Sequence, residues 1–187
     1  MQVAARSGFG PPARTLVAAV AGFALGIASY FGQGAPSTDP AVVTNAFAQV
    51  FVVSAAEVMV CWALVGGAVE GLLRRRLARL ATPAAAIVAA VLFGLYHFAH
   101  SAPFDTWPMV ALLSVIGLVT GAFFFVSRDV LGTAIFHNFL GTFGVTQALA
   151  AAGRLCAIEN LQPALLGTAA MTAVVLLAGY RWVRLGA

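Results

Sequence analysis

Four ionisable side chains stand inside otherwise apolar runs of this chain: Glu57, His97, His100 and His137. A Glu and a His that share one water can deprotonate it and deliver it to a carbonyl. A second His and an amide such as Asn138, which adjoins His137, can then stabilise the oxyanion. The same donors suit Zn²⁺, but the HExxH spacing that puts two ligands and a base on one helix is absent. Cys61 shares a helix face with Glu57, and Ser54 lies three residues before it. No partner spacing singles out either as a nucleophile. Gly141, one turn beyond His137, leaves room for a backbone or a substrate to approach. His97 and His100 are three apart and share a face, and His100, beside Pro103 and Phe104, reads as an interface residue.

Glu57 is the informative carboxylate. Asp39, Asp105, Asp129 and Glu159 fall in connections, and Glu70 precedes Arg74 by four residues, the spacing of an ordinary helical ion pair. Glu57 lies near the middle of an apolar run with no basic residue close along the helix. A carboxylate at that depth of a bilayer costs at least ~2.5–3.5 kcal/mol, so it must face the bundle interior or a wet cavity, or be protonated. A plain interhelical hydrogen bond from a neutral Glu, and packed histidines, would also place these residues inside. That all three histidines join the one deep carboxylate favours a shared site.

The elements that must position them are membrane helices. Of 187 residues, 61% are hydrophobic and 9% charged, and mean hydropathy is +0.97. Soluble domains carry about 25% charged residues, so a water-soluble enzyme, a nucleic-acid binder and a disordered chain are excluded. Six apolar segments, 15–32, 42–73, 83–100, 108–126, 130–152 and 162–180, predict an all-α, polytopic membrane bundle of about six transmembrane helices in a single domain, 1–187. The second segment extends ~48 Å against a ~30 Å hydrocarbon core and must tilt, break or protrude, with Gly66-Gly67 a place for a bend. Arg6 and Arg14, the Arg74–Arg79 cluster, Arg128, and Arg181 with Arg184 fall on one side, and only Arg154 on the other. The positive-inside rule then puts both termini in the cytoplasm. Counted from the span midpoints, untilted helices would hold His97 and His137 ~14 Å apart along the membrane normal. Two cysteines give no disulfide framework.

The runs Ala56-Glu57-Val58-Met59-Val60-Cys61, Phe93-Gly94-Leu95-Tyr96-His97, Gly117 through Gly121 and Phe136-His137-Asn138-Phe139-Leu140-Gly141 resemble the CPBP (Abi) family. These are the CAAX-protease and bacteriocin-processing intramembrane endopeptidases, whose pattern is EExxxR, FxxxH and HxxxN. The resemblance covers about residues 45–145, and Phe93/His97 is the best match. It implies a bacterial inner-membrane protease that hydrolyses a peptide bond of a membrane-embedded or lipid-anchored substrate. In the family, the first Glu and the FxxxH His activate water, while the final His and Asn hold the oxyanion. Glu57, His97 and His137 are the corresponding residues here, with Asn138, adjacent to His137, as the stand-in for the motif Asn. No cofactor is expected; zinc is the metal the donors would suit. Two departures stand out. Glu57 aligns either with the second Glu of the pair, leaving Ala56 and Cys61 at the first-Glu and Arg positions, or with the first, leaving Val58 and Trp62. The flanking sequence and Leu64 lean toward the former. Gly141 stands where the last motif has Asn. Those substitutions keep open an inactive homologue that binds a membrane partner. A metal or proton transporter is the third reading.

Overall fold

The computed structural model describes residues 8–102 and 104–185, so Arg6 and Pro103 lie outside it. Every regular element among the described residues is helical. In chain order they are α1 (Pro12–Gly32), α2 (Pro40–Glu57), a π-helical segment (Val58–Gly66) and α3 (Gly67–Leu73). Then come α4 (Ala81–Tyr96) with a 3₁₀ turn (His97–Ala99), α5 (Trp107–Ser127), α6 (Val130–Ala151), a 3₁₀ turn (Leu155–Ile158) and α7 (Pro163–Leu185). The starts are written locally. Proline occupies the first turn of α1, α2 and α5, where its missing N–H is no loss. The Asp39 carboxylate accepts from the amides of Ala41 and Val42 to cap α2, and Asp129 accepts from Gly132 to cap α6.

Among the described residues, five helical stretches are long and apolar enough to cross a membrane: Pro12–Gly32, Pro40–Leu73, Ala81–Ala99, Trp107–Ser127 and Pro163–Leu185. The fold is thus a polytopic helical membrane bundle. The sixth expected span, α6, is long enough but too polar to join those five. Its Thr133, His137, Asn138, Thr142 and Thr146 are all buried, because α6 packs between α1 and α2 rather than against lipid. Large apolar side chains elsewhere point outward, Val126 at 86% and Trp182 at 81% exposure among them, as a lipid-facing surface requires.

Small residues set the helix spacing. A Cβ on Gly22 of α1 would stand 2.3 Å from the Gly132 carbonyl oxygen of α6, and one on Gly132 would strike Ala18. Close backbone approach of this kind replaces the hydrophobic effect as the source of attraction between helices in lipid. On α4 the fully buried stripe of Ala81, Ala85 and Ala89 does the same toward its neighbours.

The long second segment does not break at Gly66-Gly67. It runs as one helix through the π-helical stretch that ends at Gly66. This stretch solves a phase problem. At 100° per residue an uninterrupted α-helix would set Glu57 and Glu70 about 220° apart, nearly on opposite faces. The wider i→i+5 turns bring both inside, Glu57 at 9% and Glu70 at 5% exposure.

Glu70 does more than the local pairing expected of it. Arg74 does reach it at 3.1 Å, but its main partner is Arg128, which donates to both carboxylate oxygens at 2.5 and 2.6 Å. The Thr82 hydroxyl also donates to it. Arg128 holds a left-handed backbone (φ 53) at the end of α5 and lies over the Phe125 ring. The knot therefore ties α3, α4 and the α5–α6 connection together. Asp129, read from sequence as a plain connection residue, is 1% exposed and also accepts from Thr15 of α1 at 2.6 Å.

Arg128→Ala leaves Glu70 buried with only its weaker partners, and should cost about 2–3 kcal/mol of stability. Arg74→Ala, at a site 62% exposed, should cost under ~0.5 kcal/mol. Thermal unfolding in detergent measures both; equal losses would refute the assignment of Arg128 as the main partner.

Candidate active site

Glu57 ends α2 at the point where the π-helical turns begin. His97 opens the 3₁₀ turn after α4, and His137 sits two turns into α6. The three converge. Glu57 Oε2 is 3.1 Å from His137 Nε2, and Glu57 Oε1 is 3.9 Å from His97 Nε2. The ~14 Å offset expected from untilted helices does not arise, because α6 is an internal helix with its own depth and α4 ends just before His97. His100 is drawn in as well. Its ring stacks on that of His97 with centroids 4.8 Å apart and planes at 19°, and one of its nitrogens lies within 4.8 Å of the Glu57 and His97 donor atoms.

The distal ring nitrogens fix the tautomers. His97 Nδ1 is 2.7 Å from the Phe93 carbonyl oxygen, which can only accept. In neutral His97 the proton is therefore on Nδ1, and Nε2 turns a lone pair toward Glu57. His137 works in the opposite sense. Its Nε2 faces the Glu57 carboxylate, an acceptor, so Nε2 carries the proton and Nδ1 accepts from the Thr120 hydroxyl at 2.9 Å. One carboxylate thus meets one nitrogen acceptor and one nitrogen donor.

Aromatic rings wall the site. Trp62 and Phe93 stand 5.2 and 5.1 Å from the His137 ring, and Phe93 is 4.6 Å from His97. Trp62 is fully buried and donates through Nε1 to the Gly117 carbonyl at 3.2 Å. Gly121 packs against the same indole. That is the use found for the small residues of α5.

Asn138 does not join the cluster. Its Nδ2 donates to the Phe47 carbonyl of α2 at 2.9 Å, so its donor serves the α2–α6 contact. Among the described residues, its Oδ1 and the Ser54 hydroxyl are buried without partners. Cys61 is a buried free thiol, and Cys156 an exposed one. Ala56 is exposed, whereas Val58 and Trp62 are fully buried in the central apolar cluster. A carboxylate at position 56 would point away from the histidines.

Thr120 and Trp62 are site neighbours that sequence reasoning did not select, and His100, read there as an interface residue, joins them. Thr120 had a faint signal, a hydroxyl between Gly117 and Gly121 on the small-residue face of a very apolar span. Trp62 had none beyond its size.

The family described as Type II CAAX prenyl endopeptidase Rce1-like matches residues 4–143, which include Glu57, His97, His137 and Asn138. No curated protein and no solved structure matches the chain.

Asn138→Ala should lower stability by about 0.5–1.5 kcal/mol, the net worth of a hydrogen bond, read as a fall in the unfolding midpoint. An unchanged midpoint would show that the Phe47 contact contributes nothing.

Proposed function

Because the chain belongs to the Type II CAAX prenyl endopeptidase Rce1-like family, we propose that it is an intramembrane endopeptidase of the glutamic type. It hydrolyses a peptide bond of a membrane-embedded or lipid-anchored substrate with water activated by Glu57 and His97. The observation that carries this reading is the pairing of one carboxylate with two histidines of opposite tautomer. The 3.9 Å between Glu57 Oε1 and His97 Nε2 is too long for a direct hydrogen bond, and a single water ~2.8 Å from each could touch both. Glu57 takes one proton as the water oxygen bonds to the scissile carbonyl carbon. The carbonyl oxygen becomes an oxyanion, and His137 Nε2–H, released as Glu57 loses its charge, is the donor at hand to receive it. When the C–N bond breaks, the proton on Glu57 passes to the leaving amine, and the carboxylate is restored. His97 Nε2 accepts a hydrogen bond from the same water and orients it for Glu57, the base; Thr120 is a positioning residue that holds the His137 tautomer.

The altered first motif is compatible with this chemistry. The second Glu and the Arg of EExxxR are four apart, the spacing of an ion pair. With Glu57 as the first Glu, Val58 and Trp62 stand at those two positions, both 0% exposed and in one apolar cluster. Exchanging both members of a buried pair for packed apolar residues is often neutral, whereas losing one is not. The other alignment would make the exposed Ala56 the base position.

For localisation we favour a bacterial inner membrane with the arginine-rich side, and so both termini, in the cytoplasm. The exposed Cys156 follows α6, on the opposite side, and Cys61 is buried. A membrane-impermeant maleimide applied to intact cells should label Cys156 in the native chain. It should fail to label Arg76→Cys in a Cys156→Ala background; the reverse pattern would invert the topology.

Cleavage of lipid-anchored CAAX peptides in proteoliposomes tests the reaction. Glu57→Gln and His97→Ala should each lose about 10²–10⁴-fold in kcat with the fold intact. Thr120→Val should lower kcat about tenfold with KM unchanged, and Thr120→Ser should restore it. Full activity in Glu57→Gln would overturn the mechanism. A native chain that cleaves no such peptide would favour a silent binding homologue.

A further inference from the structure

We propose that Glu57, His97 and His100 form a binding site for a transition-metal dication of the zinc class, and that its occupation shuts off the water-activating site. The three residues offer one carboxylate oxygen and two imidazole nitrogens, all within 4.8 Å of one another. Tetrahedral zinc with ligands at ~2.0–2.1 Å needs donors about 3.4 Å apart. Glu57 Oε1 and His97 Nε2, 3.9 Å apart, therefore close up by only a few tenths of an ångström. A second observation supports a ligand rather than a chance cluster. His97 is held through Nδ1 by the Phe93 carbonyl, the kind of outer contact that orients a metal-binding imidazole and keeps Nε2 unprotonated.

His100 completes the set. Its ring stands beside that of His97, with planes at 19°, and turning about its side-chain bonds brings a nitrogen lone pair onto the same ion. It is half-buried at the end of the 3₁₀ turn, which gives an ion a route in. His137 is excluded as a ligand, because its Nε2 carries the proton shared with Glu57 and its Nδ1 is taken by Thr120. Two imidazoles and one carboxylate select Zn²⁺, Co²⁺, Ni²⁺ or Cu²⁺ over Mg²⁺ and Ca²⁺.

Inhibition follows from proton accounting, and this half of the proposal rests on the hydrolytic reading above. Metal coordination uses the Glu57 lone pairs and the His97 Nε2 lone pair. Zinc lowers the pKa of a bound water to about 7 and needs no base to form hydroxide. With Glu57 coordinated, however, no other carboxylate among the described residues adjoins the site to carry a proton to the leaving amine. Loss of His100 removes a ligand without touching the proposed base, so metal binding and water activation separate at that residue.

The experiment titrates untagged, detergent-purified full-length protein with Co²⁺ and reads the visible d–d bands of tetrahedral cobalt, then displaces it with Zn²⁺. One equivalent should bind to the native chain. His100→Ala and Glu57→Gln should each weaken binding at least tenfold, and millimolar Mg²⁺ should not compete. Native-like binding in His100→Ala, or no saturable cobalt spectrum in the native chain, would overturn the site. This readout needs no substrate, so it stands or falls apart from the protease reading. In the cleavage assay Zn²⁺ should inhibit the native chain reversibly with EDTA and inhibit His100→Ala at least tenfold less. Stimulation by Zn²⁺, or equal inhibition of both, would refute the inhibitory role.

Discussion

A carboxylate buried in a membrane bundle must find polar partners, and the rest of this structure follows from where Glu57 finds them. Its two oxygens face His137 and His97, residues 80 and 40 positions away. To supply them, α6 must lie inside the bundle and α4 must end level with the end of α2. The glycine and alanine contacts that draw α1 onto α6 and α4 onto α5 are the means of that approach. Lipid cannot drive it, since tails solvate apolar helix faces as well as another helix does.

The π-helical stretch belongs to the same constraint. One continuous helix carries two acidic residues that both need interior partners, and regular α geometry would expose one of them to lipid. Widening the turns between them satisfies both, and it also directs Trp62 toward His137 and the Gly117 carbonyl. π-Helical turns are uncommon and frequent at functional sites. Here the reason is one of phase: the carboxylate of the site and the carboxylate of the Arg128 knot must share a face.

The opposed behaviour of the two histidines comes from atoms outside the site. The Phe93 carbonyl and the Thr120 hydroxyl each claim a distal nitrogen, and the nitrogens facing Glu57 are left as one acceptor and one donor. Residues that touch no reacting atom thereby set the roles of those that do, as outer contacts do for metal-binding histidines.

Much of this was written in the sequence. Apolar runs with almost no charge dictate membrane helices, and the cost of a carboxylate in lipid dictates that Glu57 face inward; both follow from transfer energies that depend on residue type alone. The FxxxH spacing and the placement of every histidine in a span marked His97 and His137. Partners remote along the chain were not legible. Glu70 looked like a local pair with Arg74, because a four-residue spacing is visible in sequence and a contact with Arg128, 58 residues away, is not. Asn138 looked like part of the site by adjacency to His137, yet successive residues on a helix point about 100° apart, and its amide reaches Phe47 instead. Depth was misjudged for a related reason: counting from span midpoints assumes parallel helices with a common centre, and α6 has no lipid span to be centred on. Sequence determined which groups must be hidden. Only the packing of α2, α4 and α6 decided which of them meet, since relative tilt, offset and helical phase are properties of pairs of helices and not of any one of them.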